Sequence, residues 1–273
     1  MTNPWLAALS ALFLWWFSTG IIIWRVKQAD HQGRDAHLWS VILGLPLLVG
    51  GAVVFRNVLD DDSAKGAYLG FLSALAIWAW IELAFLSGIV AGPNTAACPP
   101  HAGTFARFLR ACGTILWHEL LLMGTMGALA IITEGHANIF GLWTFVILFF
   151  ARISAKLNLF FGVPRIHTEF LPQTLSHLPS HFRRAPMNAG FPLSVSALTF
   201  AVACFLERAV SAPTDGHLIG FTLLSALTLL ALLEHWFMVL PLPDQKLWRW
   251  MIPAPPSVTP APVTDPALTK RKH

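Results

Sequence analysis

Ala111-Cys112-Gly113-Thr114-Ile115-Leu116-Trp117-His118-Glu119-Leu120-Leu121-Leu122-Met123-Gly124-Thr125-Met126-Gly127-Ala128-Leu129-Ala130-Ile131-Ile132-Thr133 decides the fold class of this chain. A helix needs about 20 mainly apolar residues to cross the hydrocarbon of a bilayer, and this run has that length and composition. One carboxylate interrupts it, Glu119, beside His118. A charge at such depth costs a few kcal/mol or more, so residues of this kind face the bundle interior and take partners. Two other apolar runs carry the same signature. Glu82 lies in Trp78-Ala79-Trp80-Ile81-Glu82-Leu83-Ala84-Phe85, and Glu234 in Leu232-Leu233-Glu234-His235-Trp236-Phe237.

Working outward from 111–133, the same reading gives spans at 4–24, 38–55, 67–91, 137–157, 189–208 and 217–240. The fold class is therefore all-α, a polytopic membrane protein with a bundle of seven transmembrane helices. The composition agrees: 55% of residues are hydrophobic and only 12% charged, about half the charge of an ordinary soluble domain. Small residues Gly124, Gly127 and Ala128 predict close packing of the fourth helix on its neighbours. The apolar run to Trp24 has no basic residue before it and no small-residue cleavage site after it. It reads as a first span rather than a cleaved signal. Cys98, Cys112 and Cys204 form no CxxC pair and read as small apolar residues. No Lys/Arg block stands beside exposed aromatics, which argues against nucleic acid as a partner.

With the N-terminus outside, 15 of the 18 Lys and Arg residues fall on the cytoplasmic side, leaving Arg56, Lys65 and Arg208 outside. The positive-inside rule favours that orientation, with the C-terminus in the cytoplasm. Residues 1–242 form the transmembrane helical domain. Residues 243–273, rich in Pro between Pro253 and Val263 and ending in Lys270-Arg271-Lys272, read as an extended cytoplasmic tail.

The longest connection, 152–188, is amphiphilic. Gly162 and Pro164 should stop the fifth helix. Glu169-Phe170-Leu171-Pro172-Gln173-Thr174-Leu175-Ser176-His177-Leu178 suggests a short helix lying on the membrane, with Glu169, Phe170, Leu171 and Pro172 facing a partner. His177 and His181 have metal-compatible i,i+4 spacing, but Pro179 breaks the turn between them, and surface histidines are the simpler reading.

Lys156-Leu157-Asn158-Leu159-Phe160-Phe161-Gly162-Val163-Pro164, then Glu169-Phe170-Leu171-Pro172, His177-Leu178 and Ser180-His181-Phe182, together with Trp117-His118-Glu119-Leu120, resemble the signature of the PuhE family over residues 5–245. The family pattern carries Asn after Gly-Val-Pro and Tyr before the final Phe; Arg165 and His181 stand there in this chain. The resemblance implies an inner-membrane accessory factor, in the cytoplasmic or intracytoplasmic membrane, for assembling bacteriochlorophyll-containing complexes. Its implied partners are the bilayer, reaction-centre or light-harvesting subunits and other assembly factors. It supplies no catalytic residues.

The residues themselves supply a polar cluster. At about 1.5 Å per residue, Glu119, Glu234 and Glu82 lie roughly 9–13 Å from the inner ends of their helices. His118 and His235 share that level, and Arg152 and Lys156 approach it one turn apart on the fifth span; Asn158 is a further supporting residue. Adjacent helical residues point about 100° apart, so His118 and Glu119 cannot both aim at one centre, nor can Glu234 and His235. The i,i+3 Glu-His spacing of di-iron bundles is missing. Three readings remain open. One is an ionic network fixing helix packing, with Glu paired to Arg152 or Lys156. The second is a site for bacteriochlorophyll, a related tetrapyrrole or a single metal ion. The third is catalysis or proton transfer by a buried Glu, as in a metal-dependent enzyme acting on a tetrapyrrole or isoprenoid. Glu134, His136, Glu207 and His217 belong to the outer rim.

Overall fold

The computed structural model describes residues 2–242, so the expected Pro-rich tail lies outside the described residues. The described chain forms seven long helices: α1 (Pro4–Gln32), α2 (Arg34–Asn57), α3 (Ala64–Leu86), α4 (Thr104–Thr133), α5 (Phe140–Phe161), α6 (Phe191–Val210) and α7 (Asp215–Phe237). All seven are long and apolar enough to cross a membrane. No strand occurs among the described residues.

Local chemistry sets the helix ends. Asn3 caps α1 through the Trp5 amide at 2.9 Å, with Pro4 in the first turn. Ser63 caps α3 through Gly66, and Thr214 caps α7 through His217. Gly162, at φ 124°, ends α5 where the Gly-Val-Pro sequence predicts a stop. Two boundaries differ from the hydropathy reading. α1 continues through Arg25 and Lys27, which sit on its last turns. α3 stops at Leu86, before the predicted end, because Gly88 turns at φ 73° and the chain swings onto α4.

α3 and α7 form the buried centre, whereas α6 shows most of its surface outward, with Leu193 74% and Phe200 72% exposed. Apolar side chains facing lipid gain little from association, so close packing must hold the helices together. One core cluster joins Phe71, Phe140, Ile219 and Leu223, and a second joins Phe55, Ile81, Leu122 and Phe145. The close approaches use Gly70 against Gly141 and Gly220 against the Phe140 ring. Gly124 and Gly127 do not serve this purpose. They are exposed, and a Cβ at either would meet no atom within 4 Å. The small-residue face of α4 points away from the bundle, because α4 buries Leu122 and Leu129 instead. At the opposite end from the site, Asn138 is buried and donates to Val58 O (3.0 Å) and Gly66 O (2.8 Å), tying the α2–α3 and α4–α5 turns together.

The 162–190 connection is not a membrane-surface helix. It holds only two short 3-10 turns, Gln173–Leu175 and Leu178–His181, packed on the end of the bundle where α3, α5 and α7 finish. Leu175 and Leu178 are buried against Phe85 and Ala91. Lys27 Nζ donates to Leu171 O at 2.6 Å, the Gln173 amide donates to Asp30 at 3.1 Å, and the Thr174 hydroxyl donates to Leu86 O at 2.7 Å. Two leucines in a closed pocket and these pinned backbone groups hold the segment more firmly than an interfacial helix could be held. Of the four residues expected to face a partner, only Glu169 is exposed. Phe170 and Leu171 turn toward the interior and Pro172 is buried.

Candidate functional site

The ionisable side chains form a line across four helices. Arg152 on α5 donates through Nη2 to Glu82 Oε2 on α3 at 2.6 Å. One turn further, Lys156 pairs with Glu119 on α4. The Lys156 ammonium also lies 5.3 Å from the Phe85 ring centre. Glu234 on α7 accepts a hydrogen bond from the Trp15 side chain of α1, and among the described residues it has no cation within 4.0 Å. The expected convergence of Glu82, Glu119 and Glu234 with Arg152 and Lys156 is therefore present, with two carboxylates paired and one not.

The histidines divide differently. His118 is fully buried, its ring 4.2 Å from that of Phe85 and its Nε2 3.7 Å from Glu82 Oε1, too far for a hydrogen bond. Both its ring nitrogens lack a protein partner. Its backbone N–H donates to Ala91 O at 3.1 Å, where the α3–α4 connection lies on α4. His235 is used within the bundle. Its Nδ1 lies 2.8 Å from Ala231 O and so carries the proton, leaving Nε2 to accept from Ser154 Oγ at 2.9 Å. Asn158 is buried as a knot: its amide donates to Ser154 O and Ser194 Oγ and accepts from Asn188, all at 2.9 Å. It joins α5 to α6 and to the end of the 162–190 segment.

Beside this line opens a cavity of about 620 Å³, within the range of small-molecule sites. Glu119, Arg152, Lys156 and Glu234 stand on its wall, and the rest of that wall is mostly apolar, including Phe85, Ile115 and Phe160. The 162–190 segment closes one end with Ile166, Phe170, Leu178 and Phe182, and brings Arg165, His167 and His181 to it. His118 and His235 are not on the wall. The hydropathy pattern gave no hint of these closing residues. Only their alternation of Phe and Leu with basic residues was visible, and it fits a membrane surface equally well. Trp15 was missed as well, because an indole inside a span reads as packing. Among the described residues, no three His, Cys, Asp or Glu side chains are grouped so that they could hold a metal ion.

His181 gives the closing segment a pH dependence. Burial pushes its imidazole below the ordinary value near 6.5; a bond to Ala96 O opposes this, and the charges of Arg107 and Arg110 add to the lowering. Burial lowers His177 too. The docked segment thus favours neutral imidazoles. As pH falls through about 6.5, the undocked segment gains protons and the docked one does not, so docking is fully stable above that value and weakens below it. Amide exchange at residues 178–182, corrected for intrinsic rates, should speed up between about pH 7 and pH 5. His181→Gln should flatten the change; equal protection at both pH values would refute it.

These features define a polytopic helical membrane protein with a charged, largely apolar cavity at one end of its bundle. Residues 1–259 match the model of the family described as a protein of unknown function, DUF3623, and the chain belongs to that family. It is 59% identical over 269 residues to a Rhodobacter capsulatus protein described as an uncharacterized 30.4 kDa protein in the puhA 5' region, covering 98% of this chain and 95% of that one. No solved structure matches the chain.

Proposed function

We propose that this protein is an inner-membrane accessory factor for the assembly of bacteriochlorophyll-containing photosynthetic complexes, handling pigment or a pigment precursor in its cavity. The observation that carries the reading is the position of the Rhodobacter capsulatus relative in the 5' region of puhA, a photosynthesis locus. The resemblance of Lys156–Pro164 and Glu169–Pro172 to the PuhE signature supports the same reading. So does a cavity whose apolar wall with few polar groups suits a large amphipathic molecule. The positive-inside rule supports an outside N-terminus, which turns the 162–190 segment and its exposed Glu169, Arg183 and Arg184 toward the cytoplasm. That surface is the one offered to reaction-centre or light-harvesting subunits.

In this reading the paired charges do structural work. Arg152–Glu82 and Lys156–Glu119 keep α3, α4 and α5 in register around the cavity, while Glu234 and Trp15 present a hydrogen-bonding edge to its occupant. Deleting the gene of the Rhodobacter capsulatus relative should lower the near-infrared absorption of the membranes, and this chain should restore it. Ile115→Trp, which fills the cavity, should restore it poorly at equal abundance. Unaltered pigment complexes in the deletion strain would refute the reading.

A further inference from the structure

Three fixed cations line the cavity: Arg152, Lys156 and Arg165. Two have a carboxylate of their own, Glu82 and Glu119. Arg165 has none within 4.0 Å among the described residues. Its backbone N–H donates to Met238 O at 3.1 Å and its Nη2 to Leu242 O at 3.2 Å, so the residue is fixed in place from two sides. Its Nε is buried and makes no hydrogen bond. A guanidinium stays charged in any protein setting and presents its N–H groups as a fork that matches a carboxylate. A fixed guanidinium on the wall of a largely apolar chamber, with no carboxylate of the described residues to neutralise it, suits an anionic group arriving with the ligand.

The rest of the wall limits what that ligand can be. In the line of ion pairs each cation already faces a carboxylate, Arg152 with Glu82 and Lys156 with Glu119, although the Arg152 Nε is also buried without a hydrogen bond. Glu234, the carboxylate without a cation, would repel a second anionic group on that side. The occupant thus has an apolar body, one carboxylate directed to Arg165, and uncharged or donor groups toward Glu234 and Trp15. About 620 Å³ holds one molecule of drug-like size or somewhat larger, which fits a single macrocycle and leaves little room for a long tail beside it.

We propose that the cavity selects a tetrapyrrole bearing a free carboxylate, an unesterified precursor rather than the finished pigment with its isoprenoid ester, and that Arg165 is the selecting residue. This rests on the reading that the cavity handles pigment. The test uses the purified full chain in phosphatidylcholine nanodiscs, with empty nanodiscs as reference. Pyropheophorbide and its methyl ester, which differ only at the carboxyl group, are titrated by absorbance. The free acid should bind at least about ten-fold more tightly than the ester, roughly one charge-assisted bidentate contact. Arg165→Gln should remove that preference and leave ester affinity unchanged, and Arg165→Lys should keep part of it. If the ester binds as tightly as the acid, or if the preference survives Arg165→Gln, the selection is overturned while pigment handling stands. A fall in ester affinity in Arg165→Gln would make Arg165 structural and also overturn it. If neither compound binds above the empty nanodisc, both readings fail.

Discussion

Replacing Arg152 by leucine should destabilise the bundle by about 3 kcal/mol, within the range for breaking a buried ion pair from one side. Among the described residues Glu82 would lose its one hydrogen bond, the 2.6 Å contact from the guanidinium, because its other oxygen makes none there. The Glu82 side chain is only 8% exposed, so little solvent can replace the loss. The lower part of the range applies because the Arg152 side chain is 39% exposed and the pair is partly screened. Glu82→Gln should cost about 1 kcal/mol, since the amide oxygen still accepts from Arg152. The double change Glu82→Leu with Arg152→Leu should be milder than Arg152→Leu alone, because no isolated charge remains. Denaturant unfolding of wild type, the single variants Arg152→Leu and Glu82→Leu, and the double variant in one detergent gives the coupling directly. Equal stability of Arg152→Leu and wild type would mean that the pair is solvated through the cavity and holds nothing together.

That network was legible in the sequence for a physical reason. Glu82, Glu119 and Glu234 interrupt runs that must otherwise be apolar, and helix rise alone places them at one level. Arg152 and Lys156 are the nearest cations and lie one turn apart, so an ionic network with these carboxylates was one of the three readings the helix arithmetic allowed. Adjacency mattered as well: residues about 100° apart cannot share a target, and Glu119 and Glu234 stand on the cavity wall while His118 lies against Phe85 with its Nε2 3.7 Å from Glu82, and His235 bonds Ser154. What the sequence did not reveal depends on contacts between distant segments. The 162–190 connection has the composition of an interfacial helix, and only the pockets for Leu175 and Leu178, the hydrogen bond from Lys27 and the one accepted by Asp30 turn it into the closing wall of a cavity. Arg165 looked like one more cytoplasmic basic residue. That no carboxylate of the described residues pairs with it became visible only when the partners of Arg152 and Lys156 were known.

Gly220→Leu should be strongly damaging, whereas Gly124→Leu and Gly127→Leu should be neutral, although all three glycines lie in membrane helices. A Cβ at Gly220 would overlap the ring of Phe140. That ring is 2% exposed and packs edge-on against Phe221, so it has no free space to enter. Overpacking of this kind costs typically 1–3 kcal/mol and sometimes more. Backbone movement is the other way out. It would separate α7 from α5, which carry Glu234 and Arg152 on the cavity wall, so the cavity should change shape along with stability. A Cβ at Gly124 or Gly127 meets nothing, and leucine there gains about 1 kcal/mol of helix propensity over glycine. Thermal unfolding of the three variants in detergent separates the cases. Gly220→Leu should unfold well below wild type; the other two should match it or unfold slightly higher. If Gly124→Leu or Gly127→Leu instead lowers stability as much as Gly220→Leu does, the outward face of α4 is packed against another helix in the folded protein, and the arrangement of α4 described above is incomplete.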